Sequence, residues 1–358
     1  LMLAGKRVLV CALDWGLGHA ARVVPIVEQL EILGADVVVA SAGRALQLLR
    51  DACPRQQCLE MPAYNVRYFF DNMYANMGLQ AVGILRAIAA EHRWLRSIQR
   101  RLAIDVVIAD NRYGCWSPDL PCYFITHQLT IQVHGTLLQN AVNRIQQQWL
   151  MRFDGWWVPD YQEIGFQLAG QLAHGDFARQ PSYMGWLSRM EPRRERADHN
   201  SHGPIVAMLS GPEPARSRWE KQLLEQLRSS GLSAWLLRGV AGKNKRYSLG
   251  SVQVVDYLGG SELADLLASA RLLICRSGYS TLMDLATIGQ RAILVPTPGQ
   301  TEQAYLANYC AAQQWAPTYS QQNFQLCKAL DEAAAYTGFP LPPAYAHNVL
   351  PAHLRKIL

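Results

Sequence analysis

The sequence predicts an α/β protein of two Rossmann-like domains. Three observations predict it. Short apolar runs of strand length alternate with helix-length segments along most of the chain. The alternation is broken once, by the hydrophilic run Glu191-Pro192-Arg193-Arg194-Glu195-Arg196-Ala197-Asp198-His199-Asn200-Ser201-His202-Gly203, and then starts again cleanly. At 358 residues the chain is also too long for one ordinary core and suits two domains. The expected organisation is a first domain over 1–188, a linker over 189–203, a second domain over 204–338 and a tail over 339–358 that packs back on the first domain.

Taken in order, Val8-Leu9-Val10-Cys11-Ala12-Leu13 reads as the first buried strand. It enters directly after Lys6-Arg7 and is too short for a secretory h-region. Asp14-Trp15-Gly16-Leu17-Gly18-His19 follows as a glycine loop, and a helix is expected from Val23 to Leu33. Val37 to Ala40 is the second strand. Gly16-x-Gly18 lacks the third glycine of a dinucleotide fingerprint, and Ser41 stands where an acidic ribose ligand would end the second strand, so a nicotinamide dehydrogenase is not expected. His19 takes the third glycine's place at the ligand edge of the sheet. Asp105 to Ala109 is a further strand ending in Asp110 at the same edge. Asn111-Arg112-Tyr113 follows it, and the strand Cys122 to Ile125 delivers Thr126-His127-Gln128 there too. Trp156-Trp157-Val158-Pro159 reads as the last strand of the domain, its tryptophans as packing.

Between Met61 and Arg101 an aromatic loop (Tyr64, Tyr68, Phe69, Phe70, Tyr74) leads into a basic amphipathic helix with Leu85, Ile88, Leu95 and Ile98 roughly on one face. Such a helix fits an anionic membrane surface, and it fits equally a domain helix with a solvated basic face. No apolar run reaches the length of a transmembrane helix. The net charge of +6, from 34 basic and 28 acidic residues, suits acidic ligands and is too small to imply nucleic acid. Eight cysteines without CxxC or Cys/His spacing fit a reduced cytoplasmic compartment.

The second domain opens on Pro204 to Leu209 and the turn Ser210-Gly211-Pro212-Glu213-Pro214. Ser210 and Gly211 can donate to a diphosphate, whereas the two prolines remove amides, and Arg216 is placed to compensate. Later, Tyr257 and Leu258 end a strand, and Ser261 is a candidate helix cap. The densest chemistry is Arg271 to Cys275 as a strand, Ser277-Gly278-Tyr279-Ser280 as a turn, a helix from Thr281 to Ile288 closed by Gly289, and the strand Arg291 to Val295. Hydroxyls of Ser277, Ser280 and Thr281, free amides at a helix N-terminus and Arg276 suit a phosphate. Asp284, about one turn on, suits a ribose diol. Glu302 and Gln303 return to the same edge after Pro296. Phosphate, ribose and further hydroxyls in a row describe a nucleotide-sugar.

Arg276-Ser277-Gly278, Asp284, Ile293-Leu294-Val295-Pro296 and Glu302-Gln303 with Asn308 resemble the donor-binding half of glycosyltransferase family 28. That family includes lipid-linked N-acetylglucosaminyl transfer in peptidoglycan synthesis. The resemblance implies the GT-B fold, two Rossmann-like domains facing each other across a cleft, with a UDP-sugar bound mainly by the second domain. It also implies inversion at the anomeric centre without a metal. Asp284 stands where the family usually has Glu, and Glu302-Gln303 where it has a Gln pair.

The glycine loop with His19 resembles the loop opening the family's first domain. His19 is then the expected base, Asp110 its tautomer-holding partner and Asp14 the fallback base. Gly16, Gly18, Asn111, His127 and Gln128 become acceptor-side candidates, since Thr126-His127-Gln128 resembles the family's His-Glu-Gln-Asn segment without its glutamate. Tyr257 and Leu258 are implied neighbours of the uracil. Two absences agree with inversion without a metal: no Asp-x-Asp clamp occurs, and Arg276 stands where retaining enzymes of this fold carry a second glutamate. No cofactor besides the co-substrate UDP-sugar is expected, and the acceptor is open. A UDP-sugar 2-epimerase and a non-catalytic nucleotide-binding subunit share the fold and are the competing readings. A cytoplasmic enzyme able to rest on the inner face of the membrane is the expected setting.

Overall fold

Val8, Leu9, Val10 and Cys11 are all fully buried, as are Val107, Ile108 and Ala109. That pattern marks strands covered on both faces, which parallel sheets with flanking helices require. In the computed structural model, which describes residues 3–65, 73–133, 135–193, 203–240 and 245–355, the chain divides into two compact units. One comprises Leu1–Arg67, Tyr74–Arg189 and Pro343–Leu358, and the other is built on Met190–Pro342. The chain thus returns to the first unit at Pro343. Phe339, expected in the tail, is fully buried in the second unit beside Trp315.

The first unit runs β1 (Arg7–Ala12), α1 (Leu17–Ile32), β2 (Asp36–Ser41), α2 (Gly43–Ala52), β3 (Gln57–Glu60), α3 (Met73–Ile98), β4 (Val106–Asp110), β5 (Cys122–Ile125), α4 (Thr136–Leu150), β6 (Gly155–Val158) and β7 (Ser182–Tyr183). Its seven-stranded sheet has the order β3-β2-β1-β4-β5-β6-β7, and every pairing is parallel. The order reverses between β1 and β4, the switch point at which such sheets bind ligands beyond their carboxyl ends. β6 is not the last strand, because β7 pairs with it at Trp157 and Val158. Both tryptophans do pack: Trp156 donates Nε1–H to the Leu150 carbonyl at 2.7 Å and Trp157 stacks on Tyr123.

α1 begins at Leu17, well before the expected Val23, so His19 lies in its first turn instead of on a loop. Gly16 caps the helix with φ 95°, a conformation that a side chain would strain. The C-terminal half of α3 buries Ala87, Ile88, Glu91, Leu95 and Ile98 at helical spacing and exposes Arg86, Arg93 and Arg96, the domain-helix arrangement. Farther toward its start Val82 and Leu85 are half exposed, as are Leu138 and Ile145 on α4, where Leu137 is 88% exposed. Ile88 of α3 belongs to a small buried cluster against which Ile84 of α3 and Trp149 of α4 both pack. Tyr68, Phe69 and Phe70 of the anticipated aromatic loop lie outside the described residues, as do residues 194–202 of the linker.

The second unit runs β8 (Ile205–Met208), α5 (Ala215–Ser230), β9 (Ala234–Leu237), β10 (Arg246–Leu249), β11 (Val252–Val255), α6 (Gly260–Ser269), β12 (Leu272–Cys275), α7 (Tyr279–Ile288), β13 (Ala292–Leu294), α8 (Thr301–Ala312) and α9 (Leu326–Ala333). Its sheet has the order β10-β11-β9-β8-β12-β13, parallel except for the edge strand β10. Ile205, Ala207, Trp219, Leu223, Val254, Ile274 and Phe324 belong to one core between sheet and helices. Ser261 is not the cap of α6, since Gly259 holds that position and the helix starts at Gly260. The tail then forms α10 (Ala346–Leu354), which packs on the first unit: His353 meets Trp157 edge-on at 4.6 Å, and the Tyr345 hydroxyl donates to Glu163.

Candidate active site

In the first unit the parallel register sets Ala12 beside Asp110 and Asp110 beside Ile125. The loops that carry Asp14, Asn111 and His127 therefore leave one sheet edge together. α1 starts at the same edge, and its first turn aims His19 Nδ1 at Asp110 Oδ1, 3.1 Å away. Asp110 is fully buried while the His19 side chain keeps 18% of its surface. Asn111, in a left-handed conformation at φ 51°, donates its Nδ2 to Asp110 Oδ1 at 3.3 Å. Gln128 uses its backbone within the edge, its carbonyl accepting from Gln146 Nε2 at 2.6 Å. Gly16 is exposed with open space over its Cα, and Gly18 lies between it and His19.

Arg22, one turn beyond His19, completes this cluster and was missed in the sequence. It is 2% exposed. Its Nε donates to Asp110 Oδ2 at 2.7 Å and its Nη2 to Asp110 Oδ1, a bidentate pair, and its Nη1 lies 3.1 Å from His127 Nδ1. The i, i+3 spacing from His19 was the available signal. An arginine on a helix ordinarily reads as solvent-facing, and its partner is 88 positions away in sequence. Burial alone would raise the Asp110 carboxyl, but the Arg22 guanidinium and then His19 outweigh it and hold the carboxyl well below the usual carboxylate range. For His19, burial pushes the imidazole pKa down; Asp110 opposes this, while Arg22 and His127 push the same way. The ionised Asp110 accepts from Nδ1–H, which leaves the His19 lone pair on Nε2. No described residue bonds that atom. A neutral imidazole with an available Nε2, held by a buried carboxylate, is equipped to take a proton from a hydroxyl.

Asp14 and Arg112 fall into a second network. Arg112 is fully buried, with Nη1 2.9 Å from Glu91 Oε1 and Nη2 3.1 Å from Asp14 Oδ1, an ion pair too poorly aligned for a hydrogen bond. It also donates to the Ala12 and Pro62 carbonyls. Glu91 accepts in addition from Gly114 N at 2.9 Å and the Tyr64 hydroxyl at 3.1 Å. Asp14, the fallback base, is thus committed to Arg112 and takes the Tyr64 amide at 3.3 Å. Burial pushes the Glu91 carboxyl up, against the pull of Arg112. Tyr113 packs on Phe124 and Trp149, so of the segment after Asp110 only Asn111 reaches the His19 cluster.

In the second unit the carboxyl ends of β8, β12 and β13 and the start of α7 share one edge. Gly211, at φ 109°, passes so close to Thr297 that a Cβ there would sit 3.4 Å from its Oγ1. The Ser210 turn, itself exposed, therefore abuts the loop after β13. Gly278 caps α7 in an extended conformation, and Ser280, Thr281 and Asp284 are half-buried within the helix's first turn and a half. Glu302 and Gln303 lie in the first turn of α8, and Gln303 Oε1 accepts the Thr297 amide at 2.8 Å. Tyr257 is 41% exposed beyond β11 and Leu258 is buried beside it.

Two of the expected phosphate groups are turned inward. Ser277 is fully buried and donates to the Gln303 carbonyl at 2.7 Å, which ties α8 to the β12–α7 turn. Arg276 is 1% exposed, donates to the Val295 and Pro296 carbonyls and to Gln321 Oε1 at 2.8 Å, and lies over Trp219. Burial pushes its pKa down to about 10. Arg216 does not compensate for the prolines either: Glu213 and Glu220 hold it, and Glu220 passes on to Arg238 and Asp256 in a chain of ion pairs. What this edge offers an anion is the N-terminus of α7 with Ser280 and Thr281, and the Ser210 turn.

Among solved structures, MurG of Acinetobacter baumannii matches with a TM-score of 0.59 at 17% identity, over 98% of this chain and 99% of that one. The spinosyn rhamnosyltransferase SpnG, solved with thymidine diphosphate, matches with a TM-score of 0.63 at 16% identity, over 98% and 99%. The fold is that of the two-domain GT-B glycosyltransferases. Residues 220–343 match the glycosyltransferase family 28 C-terminal domain. The UDP-N-acetylglucosamine–N-acetylmuramyl-(pentapeptide) pyrophosphoryl-undecaprenol N-acetylglucosamine transferase of Methylorubrum extorquens is 37% identical over 97 residues, 27% of this chain and 24% of that protein. The enzyme of the same name from Granulibacter bethesdensis is 48% identical over 48 residues, 13% of this chain and 12% of its own. The match thus spans about a quarter or less of the length of these curated relatives.

Proposed function

We propose that the protein is an inverting, metal-independent glycosyltransferase that moves a hexose or N-acetylhexosamine from a UDP-sugar to an acceptor hydroxyl. The observation that carries this reading is the buried Asp110 holding His19 by Nδ1 at 3.1 Å, so that Nε2 is left to remove the acceptor's proton as the diphosphate departs. The α7 N-terminus meets the diphosphate with amides and the hydroxyls of Ser280 and Thr281, Asp284 accepts from the ribose, and Glu302 with Gln303 faces the sugar. Supporting the UDP-sugar are the family 28 domain over 220–343 and relatives named for UDP-N-acetylglucosamine. Titration calorimetry with UDP, GDP, ADP and dTDP in the presence of chelator tests the donor half. UDP is expected to bind best, and Asp284→Ala to weaken it about 10-fold or more, as loss of a hydrogen-bonded carboxylate does. Preference for dTDP would refute the donor assignment, and the accompanying assay, transfer from UDP-sugars in chelator, tests the reaction.

The acceptor side favours a lipid-linked substrate at an anionic membrane surface. Among the described residues no helix is long and apolar enough to cross a membrane. Val82, Leu85, Leu137, Leu138 and Ile145 nevertheless present apolar surface on α3 and α4, with exposed Arg86 and Arg93 on α3. Exposed apolar side chains next to cations bind anionic lipid. Sedimentation with phosphatidylglycerol vesicles is expected to carry the protein down and neutral vesicles to leave it in solution. Leu85→Asp/Leu137→Asp should abolish the cosedimentation.

A further inference from the structure

We propose that Arg22 is a positioning residue that, paired with Asp110, fixes the two imidazoles of the first unit in opposite tautomers, Asp110 making His19 the proton acceptor and Arg22 making His127 a hydrogen-bond donor. The inference rests on the glycosyltransferase reading only for what the imidazoles meet. Its geometric part is independent of substrate.

A guanidinium has five N–H donors and no acceptor. Arg22 uses Nε and Nη2 on the two oxygens of Asp110 and directs Nη1 at His127 Nδ1, 3.1 Å away. An N–H on His127 Nδ1 would face an N–H of Arg22, so Nδ1 must carry the lone pair and Nε2 the proton. Asp110 imposes the reverse on His19: Oδ1, an acceptor, faces Nδ1 at 3.1 Å, so that Nδ1 carries the proton and Nε2 the lone pair. The buried Arg22–Asp110 pair, 2% and 0% exposed, thereby sets the roles of both rings, one through each member. The arrangement explains why a site with two histidines needs only one base. His127 keeps its proton and serves as a donor toward an oxygen of the bound acceptor, or toward a protein group that it must release to do so. A lysine could supply the charge at position 22 but not the fork that spans Asp110 and His127.

Long-range proton–nitrogen NMR of the folded wild-type protein, labelled in histidine, reads the tautomers directly. The expected result is an unprotonated Nδ1 on His127 and an unprotonated Nε2 on His19. A protonated Nδ1 on His127 would overturn the proposal whatever the enzyme transfers. In Arg22→Met, His127 is expected to lose its fixed tautomer while His19 keeps its own. Because that variant strands Asp110, Arg22→Met/Asp110→Asn removes both charges and provides a second test, in which both rings should become mixtures. A fixed His127 tautomer without Arg22 would refute the positioning role. In the transfer assay His127→Gln, whose amide offers an N–H near the Nε2 position, should stay within about 3-fold of wild type. His127→Phe should lose about 10-fold or more, and both variants should keep the acid limb of the pH profile, moved if at all to higher pH because His127 is one of the groups that press the His19 value down. Loss of the acid limb in His127→Gln would make His127 the base and sink the assignment.

Discussion

Replacing His19 by alanine is expected to lower the transfer rate by about 10²–10⁴-fold, the usual contribution of a positioned general base. Affinity for UDP should stay within about 2-fold, because every group assigned to the nucleotide lies in the second unit. The wild-type pH profile carries a sign that checks the same assignment. A base works only when neutral, so activity is lost as pH falls through its pKa. Burial, Arg22 and His127 press the His19 value below the ordinary 6.5 while Asp110 opposes them, so the acid limb of kcat/KM is expected below 6.5. Asp110→Asn should be nearly as damaging as His19→Ala, since an amide nitrogen turned to Nδ1 would favour the wrong tautomer. Unchanged transfer by His19→Ala would remove the base from this site altogether.

The fold was legible because its strands are short and buried on both faces. Val8 to Ala12, Val106 to Ala109 and Leu272 to Cys275 are near-continuous apolar runs, which parallel sheets demand and little else of that length produces. Strands without that burial left no such mark. β10 is exposed along most of its length, β3 reads Gln-Cys-Leu-Glu, and β7 is two residues long; pairing to a neighbour defines them, and pairing has no local signature. His19 and Asp110 were legible for a related reason. His19 follows a strand and Asp110 ends one, and the carboxyl ends of parallel strands lie together, so chain order alone predicts their meeting.

The charged partners were harder to read because burial of a charge is a property of pairs. Arg22 and Glu91 both sit on helices with other charged or polar residues nearby, and each is buried only because a partner far along the chain is waiting: Asp110 for the first, Arg112 for the second. The donor edge shows the converse. A Ser, an Arg and a Gly before a helix read as phosphate ligands, yet two of these three are consumed in holding the turn itself, Ser277 to α8 and Arg276 to the loop after β13. The motif thereby supplies the rigidity of the helix N-terminus more than direct contacts, which shifts the expected anion binding onto backbone amides and the next two hydroxyl residues.

Arg112→Ala is expected to cost about 3–5 kcal/mol, the usual penalty for stripping a buried ion pair of one partner, and to lower the melting temperature of the first unit by roughly 10 °C. With Arg112 gone, the fully buried Glu91 carboxylate has only Gly114 N and the Tyr64 hydroxyl to meet it. Its pH dependence distinguishes this cause from simple loss of packing. The Glu91 carboxyl is raised above its ordinary value by burial even with Arg112 present, so the folded protein binds this proton more readily than the unfolded chain does. That contribution favours folding below the unfolded pKa and is lost as pH rises through the folded one. Without Arg112 the folded value climbs further, and the penalty must grow with pH across that wider window. Melting curves of wild type and Arg112→Ala should therefore lie closest at pH 5 and separate toward pH 8. Arg112→Ala/Glu91→Gln, which leaves Asp14 as the one carboxylate that Arg112 had paired, should recover part of the loss at pH 8 and little at pH 5. A difference between wild type and Arg112→Ala that is constant from pH 5 to 8 would assign the loss to packing around the Arg112 stem instead of to the stranded carboxylate.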